Sequence, residues 1–281
     1  MWSFPLRRWA HALVPVAAAA VLVGCSTGEQ APAAAAGSGS VESSVPGVAL
    51  VPALDHLHGL HLAPGGVVLA GTHTGLVDLA ADGRTTRIGD SDDDFMGLTG
   101  GPGTEHLFAS GHPGPASSAP NPLGLIESTD GGRTWTPKSL TGEVDFHALA
   151  TDGTVLVGFD GTTGLLVSTD AGTTWSSGAP LAAAALAVTD TGVWATTTAG
   201  LQHSTDAGRT FTVVPDAPPL ALISAAQDGS LWGVDTTGTA WRSRTGQTWD
   251  QHAVVGPVEA VLAVDYETAY AATAQTLYTL D

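Results

Sequence analysis

The sequence predicts an all-β fold, a six-bladed β-propeller in which an N-terminal strand completes the last blade. Three observations lead to this prediction. A phrase with the pattern S-x-D-x-G-x-T-[WF] recurs at 128–135, 168–175 and 204–211, with its aspartates 40 and 36 residues apart. Short strand-like segments, bounded by turns rich in Gly and Asp, lie between the copies. Six of these segments resemble one another and align as inner strands. A period near 40 residues with several strands per repeat is typical of propellers.

The repeated phrase has the chemistry of a tight turn. The carboxylates of Asp130, Asp170 and Asp206 can accept hydrogen bonds from backbone N–H groups of their own turns. The glycine supplies the positive φ that such a turn needs, and the closing Trp or Phe can pack between neighbouring sheets. A fourth copy at 243–249 keeps the Gly and Trp but has no Asp. Because equal spacing in triplicate is unusual for an active site, we assign these three aspartates a structural role.

The phrase resembles the Asp-box of BNR-repeat β-propellers, which include sialidases and sortilin-like receptors. The resemblance implies Asp-box turns between the third and fourth strands of each blade, away from the active face. The resemblance also suggests sialidase activity. However, the Arg-Ile-Pro motif of that family is absent, and the nearest segment, at residues 87–89, is Arg-Ile-Gly. The tyrosines Tyr266, Tyr270 and Tyr278 all fall in the last repeat. We therefore do not expect a sialidase.

Six segments align as inner strands of the blades, beginning near residues 56, 94, 145, 182, 220 and 259. Each is followed by a turn and a second strand, as at 67–70, 155–158 and 193–196, with the alternation and turn residues of strands. The last repeat has room for only three strands, so we predict that 48–51 supplies its outer strand and closes the ring. Residues 46–281 then give about 39 residues per blade, within the usual range.

The N-terminus predicts export. Arg7 and Arg8 precede an apolar run at 12–23, which is too short to span a bilayer but fits a signal peptide. The run ends in Leu-Val-Gly-Cys at 22–25, which resembles a bacterial lipobox. The resemblance implies cleavage before Cys25 and attachment of lipid, including palmitate, to its thiol.

The predicted organisation is therefore a lipoprotein signal peptide at 1–25, a flexible Ser-, Gly-, Ala- and Pro-rich tether at 26–46, and the propeller at 47–281. We expect an exported protein, anchored by lipid to the outer face of the bacterial cell membrane. We also expect a monomer.

Charge and cysteine content limit the partners. Cys25 is the only cysteine, so no disulfide is available and stability must come from core burial. Removal of Arg7 and Arg8 with the leader leaves 27 acidic residues against 7 basic ones, a net charge of −20. Such a charge argues against binding of nucleic acid, which requires a basic surface, and is compatible with binding of cations.

Ionisable residues concentrate on one half of one rim. The loops that enter the inner strands and those that join the second and third strands share a rim of a propeller. In blades 1 to 3 these loops carry His56, His58, His73, Asp94, Met96, His112, Asp145, His147 and Asp160. The corresponding loops of blades 4 to 6 are rich in Ala, Thr and Gly. Because function tends to lie on such loops, we predict the site there, with His56, His73 and His112 as ligand-binding residues.

Alignment of the inner strands suggests a metal site. His58, Met96 and His147 occupy the third position of three adjacent inner strands, with carboxylates two residues earlier in blades 2 and 3. Imidazole with thioether suits copper, and imidazole with carboxylate suits zinc, iron or manganese. We therefore predict a copper or zinc ion held by these three residues. The alternative is that the methionine is a core residue and the histidines bond to neighbouring strands.

Three classes of function stay open. The first is an exported, lipid-anchored propeller that binds a ligand, with a transition metal as one candidate, at the rim of blades 1 to 3. The second is a glycoside hydrolase that uses Asp94, Asp145 and Asp160 as its carboxylates. The third is a protein-binding scaffold, as in sortilin-like receptors and photosystem II assembly factors, which also carry Asp-boxes. The expected ligands beyond a metal are thus a carbohydrate or a protein.

Overall fold

The computed structural model of the protein describes residues 45–101 and 103–281. The predicted signal peptide, its lipidation site Cys25 and the tether up to residue 44 lie outside the described residues. Within the described ranges, none of the helical segments has the length and apolar character needed to cross a membrane.

The predicted six-bladed propeller is confirmed. Six four-stranded sheets, all with antiparallel pairing, follow one another along the chain. Blade 1 consists of β2 (Leu57–Ala63), β3 (Val67–Thr72), β4 (Gly75–Leu79) and β5 (Thr85–Ile88), with a 3₁₀ turn at Pro64–Gly66. Blade 2 consists of β6 (Asp94–Gly100), β7 (Leu107–His112), β8 (Leu125–Ser128) and β9 (Thr136–Ser139). Blade 3 consists of β10 (Ala148–Thr151), β11 (Leu156–Phe159), β12 (Leu165–Ser168) and β13 (Ser176–Ser177).

The remaining blades follow the same order. Blade 4 consists of β14 (Ala185–Thr189), β15 (Gly192–Thr197), β16 (Gly200–Ser204) and β17 (Thr212–Val213). Blade 5 consists of β18 (Leu220–Ala225), β19 (Leu231–Asp235), β20 (Thr239–Ser243) and β21 (Asp250–Val254). Blade 6 consists of β22 (Ala260–Ala263), β23 (Ala269–Ala272), β24 (Thr276–Leu280) and the N-terminal β1 (Gly47–Ala49).

The ring closes as the sequence predicts. Strand β1 pairs with β24 in the register Gly47↔Tyr278, Val48↔Leu277 and Ala49↔Thr276. The predicted outer strand at 48–51 thus forms at Gly47–Ala49, so it begins one residue and ends two residues earlier than expected. The pairing satisfies the edge of β24, which would otherwise be open for association with another chain.

The core consists of six apolar clusters, and each lies between two neighbouring blades. The three aromatic residues that close the repeated phrase, Trp135, Trp175 and Phe211, pack against these clusters. Trp135 packs against Phe95 and Trp175 against Phe146, each with ring centroids 4.9 Å apart. Each blade is therefore held by its neighbours on both sides.

The repeated phrase forms the same turn three times. Ser168 Oγ donates to Asp170 Oδ1 at 2.8 Å and accepts a hydrogen bond from the Gly172 N–H at 2.9 Å. The N–H and Oγ1 of Thr174 donate to the two oxygens of Asp170 at 2.8 and 2.7 Å. The other two copies repeat these four bonds. The assignment of the three aspartates to turn structure agrees with these contacts.

The glycine of the turn is required for two reasons. Gly172 has φ +80°, which disfavours a side chain, and a Cβ there would collide with Leu125 of the preceding blade. A Cβ on Gly132 would likewise collide with Leu76 of blade 1. The turn therefore also sets how closely two blades approach.

Acid titration tests the turn. Hydrogen bonds from Thr174 and Ser168 hold the pKa of Asp170 at about 2, below its usual 3.8. Because the pKa is lower in the folded state, the carboxylate contributes stability above pH 3.8 and loses it as pH falls through about 2. We expect Asp170→Asn to lower the thermal unfolding midpoint at pH 5, and the difference from the parent protein to vanish below about pH 2. Asp190→Asn, at an exposed position outside the repeated turns, is the control. An equal deficit at all pH values would contradict the prediction.

Candidate functional site

Three histidines of blade 1 form a compact group, which we call the trihistidine cluster: His56, His58 and His73. One ring nitrogen from each lies within 4.8 Å of the other two. The His58 and His73 rings are stacked, with centroids 4.7 Å apart and planes 2° from parallel. The His56 ring stands edge-on to both, at 4.6 and 5.0 Å. The three imidazoles thus bring three potential nitrogen ligands close together.

The pairing of β2 with β3 brings the cluster together. Leu57 lies opposite Thr72, so the residues that flank Leu57 meet the turn that follows Thr72. His73 occupies that turn, whose shape is held by Thr72 Oγ1 through bonds to Gly75 O and Thr74 N at 2.9 and 3.1 Å. A β-bulge falls at His58, between the Leu57 and Gly59 pairs. Bulges commonly redirect a side chain, and here the redirected residue belongs to the site.

A carboxylate holds His56. Glu259 Oε2 lies 3.1 Å from His56 Nδ1 and accepts a hydrogen bond from the Leu57 N–H at 3.1 Å. Glu259 Oε1 accepts from the Ala274 N–H at 2.9 Å. The carboxylate thus joins blade 6 to the start of blade 1 and leaves His56 Nε2 for another partner. Histidines that bind metals commonly bond a carboxylate through their other nitrogen in this way.

A second carboxylate faces His58. Asp94 Oδ1 lies 3.7 Å from His58 Nε2, beyond hydrogen-bond range. Both atoms are buried and have no hydrogen-bond partner among the described residues. Burial of unpartnered polar atoms is costly, so their presence at one place marks a position that a bound group would satisfy.

The protonation state of His58 suits a ligand role. The pKa of His58 is lowered to about 4, chiefly by burial and also by the neighbouring His56 and His73, while Asp94 and Glu259 raise it in part. His58 is therefore neutral near pH 7. A metal ligand must be neutral imidazole, so no proton has to be displaced from this residue for an ion to bind.

A second polar group lies on blades 2 and 3. Asp145 Oδ2 is 3.2 Å from His112 Nε2 and 3.0 Å from His147 Nε2. His112 Nδ1 is held by Asn121 Oδ1 at 2.8 Å. The other oxygen of Asp145, Oδ1, is buried and has no hydrogen-bond partner in residues 45–101 and 103–281. Most of the ionisable residues predicted for this half-rim therefore form two groups, one beside Glu259 and Asp94 and the other around Asp145.

The predicted metal residues are distributed over these groups. His58 belongs to the trihistidine cluster, whereas His147 contacts Asp145. Met96 lies at a β-bulge of β6, between the Phe95 and Gly97 pairs, and is half-buried. His58 and Met96 thus occupy equivalent bulge positions, as the alignment implies. Coordination by Met96 and His147 stays a prediction.

The predicted catalytic carboxylates have different surroundings. Asp160 closes its own turn, accepting hydrogen bonds from Thr162 N, Thr163 N and Thr163 Oγ1 at 2.9, 3.1 and 3.2 Å. Desolvation raises the pKa of Asp160, but these hydrogen bonds outweigh it and the pKa lies below its usual value. A carboxyl with a lowered pKa is poorly suited to act as a general acid. Asp94 and Asp145, by contrast, each retain an unpartnered oxygen.

The insert after β7 is tied to the rim. The N–H groups of Gly114 and Ala116 donate to Asp93 Oδ1 and Asp92 Oδ2 at 2.9 and 3.3 Å. Asn121 near its other end bonds His112. Asp92 and Asp93 therefore hold this loop against blade 2.

The central cavity opens beside the two groups. It measures about 640 Å³ and is lined by the inner strands of all six blades. His58, His147 and Glu259 line it where inner strands of blades 1, 3 and 6 begin, and Ala184 lines it at the start of blade 4. The trihistidine cluster thus has one member inside the cavity, while His56 and His73 are exposed outside it.

Sequence reasoning placed the three cluster residues on the correct rim but did not group them. It assigned His56 and His73 to ligand binding and His58 to a metal site with other blades. The overlooked signal is the His-x-His pattern at 56–58 together with His73 in the turn of the paired strand. In a hairpin these positions are neighbours across the strand pair.

No family model matches the sequence, and no curated protein matches it. Among solved structures, YCF48 bound to D1 peptide is 13% identical, with a TM-score of 0.54 over 84% of this chain and 96% of that one. A GH74 xyloglucanase from Xanthomonas campestris is 18% identical, with a TM-score of 0.52 over 83% of this chain. This chain spans 43% of the xyloglucanase chain.

A third similar structure is the extracellular domain of a putative one component system from B. thetaiotaomicron. It is 10% identical, with a TM-score of 0.54 over 85% of this chain and 40% of that chain. At these identities the three likenesses support the propeller fold, and fold alone does not decide function.

Proposed function

We propose that this protein binds a divalent transition-metal ion, zinc or copper, through the trihistidine cluster. The observation that carries the proposal is the convergence of His56, His58 and His73 nitrogens within 4.8 Å. Nitrogens that share one tetrahedral zinc lie about 3.3 Å apart, given bonds of about 2.0–2.1 Å. The His58 and His73 rings are parallel, so one of them must turn for both nitrogens to reach one ion, and the exposed His73 has room to do so.

The charge of the surroundings supports a cation. Glu259 and Asp94 stand beside His56 and His58, and two carboxylates balance the charge of a divalent ion. The acidic chain as a whole attracts cations to the rim. Imidazole suits both zinc and copper, so the ligand set alone is compatible with either ion.

Elemental analysis of the tag-free chain after loading with zinc or copper and desalting tests the proposal. We expect about one ion per chain, lost in His58→Ala and in His73→Ala because two imidazoles bind far more weakly than three. His106→Ala is the matched control, since His106 bonds Glu127 outside the rim. A metal content unchanged by both cluster variants would overturn the proposal.

A further variant tests the ligand set predicted from the alignment. His147→Ala keeps the ion if the trihistidine cluster is sufficient, and loses it if His147 completes the site. Met96→Leu makes the same distinction for the thioether, with little change in volume.

Glycoside hydrolysis at Asp94 and Asp145 is the alternative. The unpartnered oxygens of these two carboxylates, beside the cavity-lining His58 and His147, favour it over other enzyme classes. Turnover of an aryl glycoside, abolished in Asp145→Asn, would support it. A protein or carbohydrate ligand is the third candidate, suggested by two proteins of similar fold, YCF48 bound to D1 peptide and a GH74 xyloglucanase. This third candidate function predicts neither a bound metal ion nor turnover of a glycoside.

Export and lipid anchoring through Cys25 belong to the same proposal. The lipobox-like end of the leader supports them, and a similar propeller is an extracellular domain. We expect the full chain in a bacterial host to fractionate with membranes and Cys25→Ser to leave that fraction. Equal membrane association of both forms would contradict lipid attachment at this residue.

A further inference from the structure

The trihistidine cluster supplies three protein ligands, and zinc and copper sites with three protein ligands keep a position open for a further group. This observation rests on the proposed function and raises the question of which group occupies that position. His58 is shared between the cluster and the lining of the central cavity. A group bound to the ion on the His58 side therefore projects into the cavity.

The cavity has the size and walls of a small-molecule site. Its volume of about 640 Å³ lies within the range of about 300–1,000 Å³ that such sites occupy. Across from His58, the wall consists of small and apolar side chains, including Ala184, Ala185 and Leu222. An apolar body of a few rings would be buried there.

The polar groups at this rim indicate which chemical class of ligand the cavity would bind. Three of the four buried side-chain polar atoms without a hydrogen-bond partner in the described residues lie at this rim: His58 Nε2, Asp94 Oδ1 and Asp145 Oδ1. The Asp94 and Asp145 carboxylates lie beside His58 and His147, which line the cavity. Together with Glu259, which lines the cavity itself, they make its mouth acidic, so the mouth repels an anion and favours a neutral ligand. Nitrogen ligands suit zinc and copper.

We infer that the cavity binds a small, neutral nitrogen ligand with an apolar body, which coordinates the metal of the trihistidine cluster. The nitrogen occupies the open position of the ion on the His58 side. The apolar body lies along the small side chains of blades 4 and 5.

Cobalt(II) makes the inference testable, because its visible d–d bands change when a fourth ligand exchanges. The full chain is loaded with cobalt, its metal content is measured, and imidazole, 4-phenylimidazole and acetate are then titrated separately. We expect 4-phenylimidazole to bind about tenfold more tightly than imidazole, because the phenyl ring becomes buried. We expect acetate to bind about tenfold more weakly than imidazole or worse, because the mouth is acidic.

Two variants locate the apolar body. Ala184 is exposed and lines the cavity, so Ala184→Phe narrows the mouth with little effect on folding. It should remove the advantage of 4-phenylimidazole and leave imidazole binding unchanged. Ala182→Phe is the matched control, since Ala182 is also exposed and lies outside the lining residues.

The outcomes separate the two proposals. A chain that takes up no cobalt overturns the proposed metal site and this inference with it. A chain that binds cobalt but shows equal affinity for both imidazoles, or is unaffected by Ala184→Phe, overturns the cavity as the ligand site. Tighter binding of acetate than of imidazole overturns the choice of a nitrogen ligand.

Discussion

Replacement of Phe146 by alanine is expected to lower the free energy of unfolding by about 3–5 kcal/mol. Phe146 is fully buried, packs against Trp175 and belongs to the cluster between blades 2 and 3. Truncation removes the buried ring and leaves a cavity that the rigid sheets cannot fill. For a chain of this size the thermal midpoint should fall by about 10 °C.

The same change should also loosen half of the rim. Phe146 stands between Asp145 and His147, and its N–H donates to Ser110 Oγ of blade 2 at 2.9 Å. The trihistidine cluster on blade 1 does not depend on this contact, so metal content should stay near one ion per folded chain. Urea unfolding followed by tryptophan fluorescence measures the loss, with Phe146→Leu as control at less than half the effect. Equal losses for the two variants would mean that the buried ring is not what stabilises this interface.

Replacement of Glu259 by glutamine is expected to weaken metal binding by about 10–100-fold. The amide keeps the shape of the side chain but removes the charge beside His56 Nδ1 at 3.1 Å. A carboxylate in this position fixes the orientation of the ring and makes its other nitrogen a better ligand. Without the carboxylate, His56 is both less well oriented and a weaker ligand, so the affinity for the metal falls.

Competition with a chromophoric chelator measures the affinity. Glu143→Gln is the matched control, because it removes one negative charge from an exposed position on the same rim. It should change affinity only slightly, since exposed charges are screened. Metal binding by Glu259→Gln at the affinity of the parent protein would show that His56 needs no carboxylate, or that it is not a ligand.

Much of the fold follows from local sequence. The phrase at 168–175 predicts its own turn, because the Ser, Asp, Gly and Thr that make the hydrogen bonds lie within seven residues of one another. The period of the phrase predicts the blades, and the missing fourth strand of the last repeat predicts that 48–51 closes the ring. These inferences need only short-range contacts or a count of strands.

The contacts within the site could not be predicted from the sequence pattern alone. The alignment grouped His58 with Met96 and His147, since equivalent positions of inner strands face the same channel. The β-bulges at His58 and Met96 redirect these two side chains, and bulges have no clear signature here. His147 contacts Asp145 on its own blade.

The sequence by itself determined the all-β propeller, the number of blades, the structural role of the repeated aspartates and the rim on which ionisable residues gather. The tertiary structure alone decided which of those residues touch. Strand pairing within blade 1 sets His73 beside His58, and ring closure brings Glu259 of the last blade to His56 of the first. Such contacts join residues 15 and about 200 positions apart. They depend on register and on closure of the ring, which no local pattern encodes.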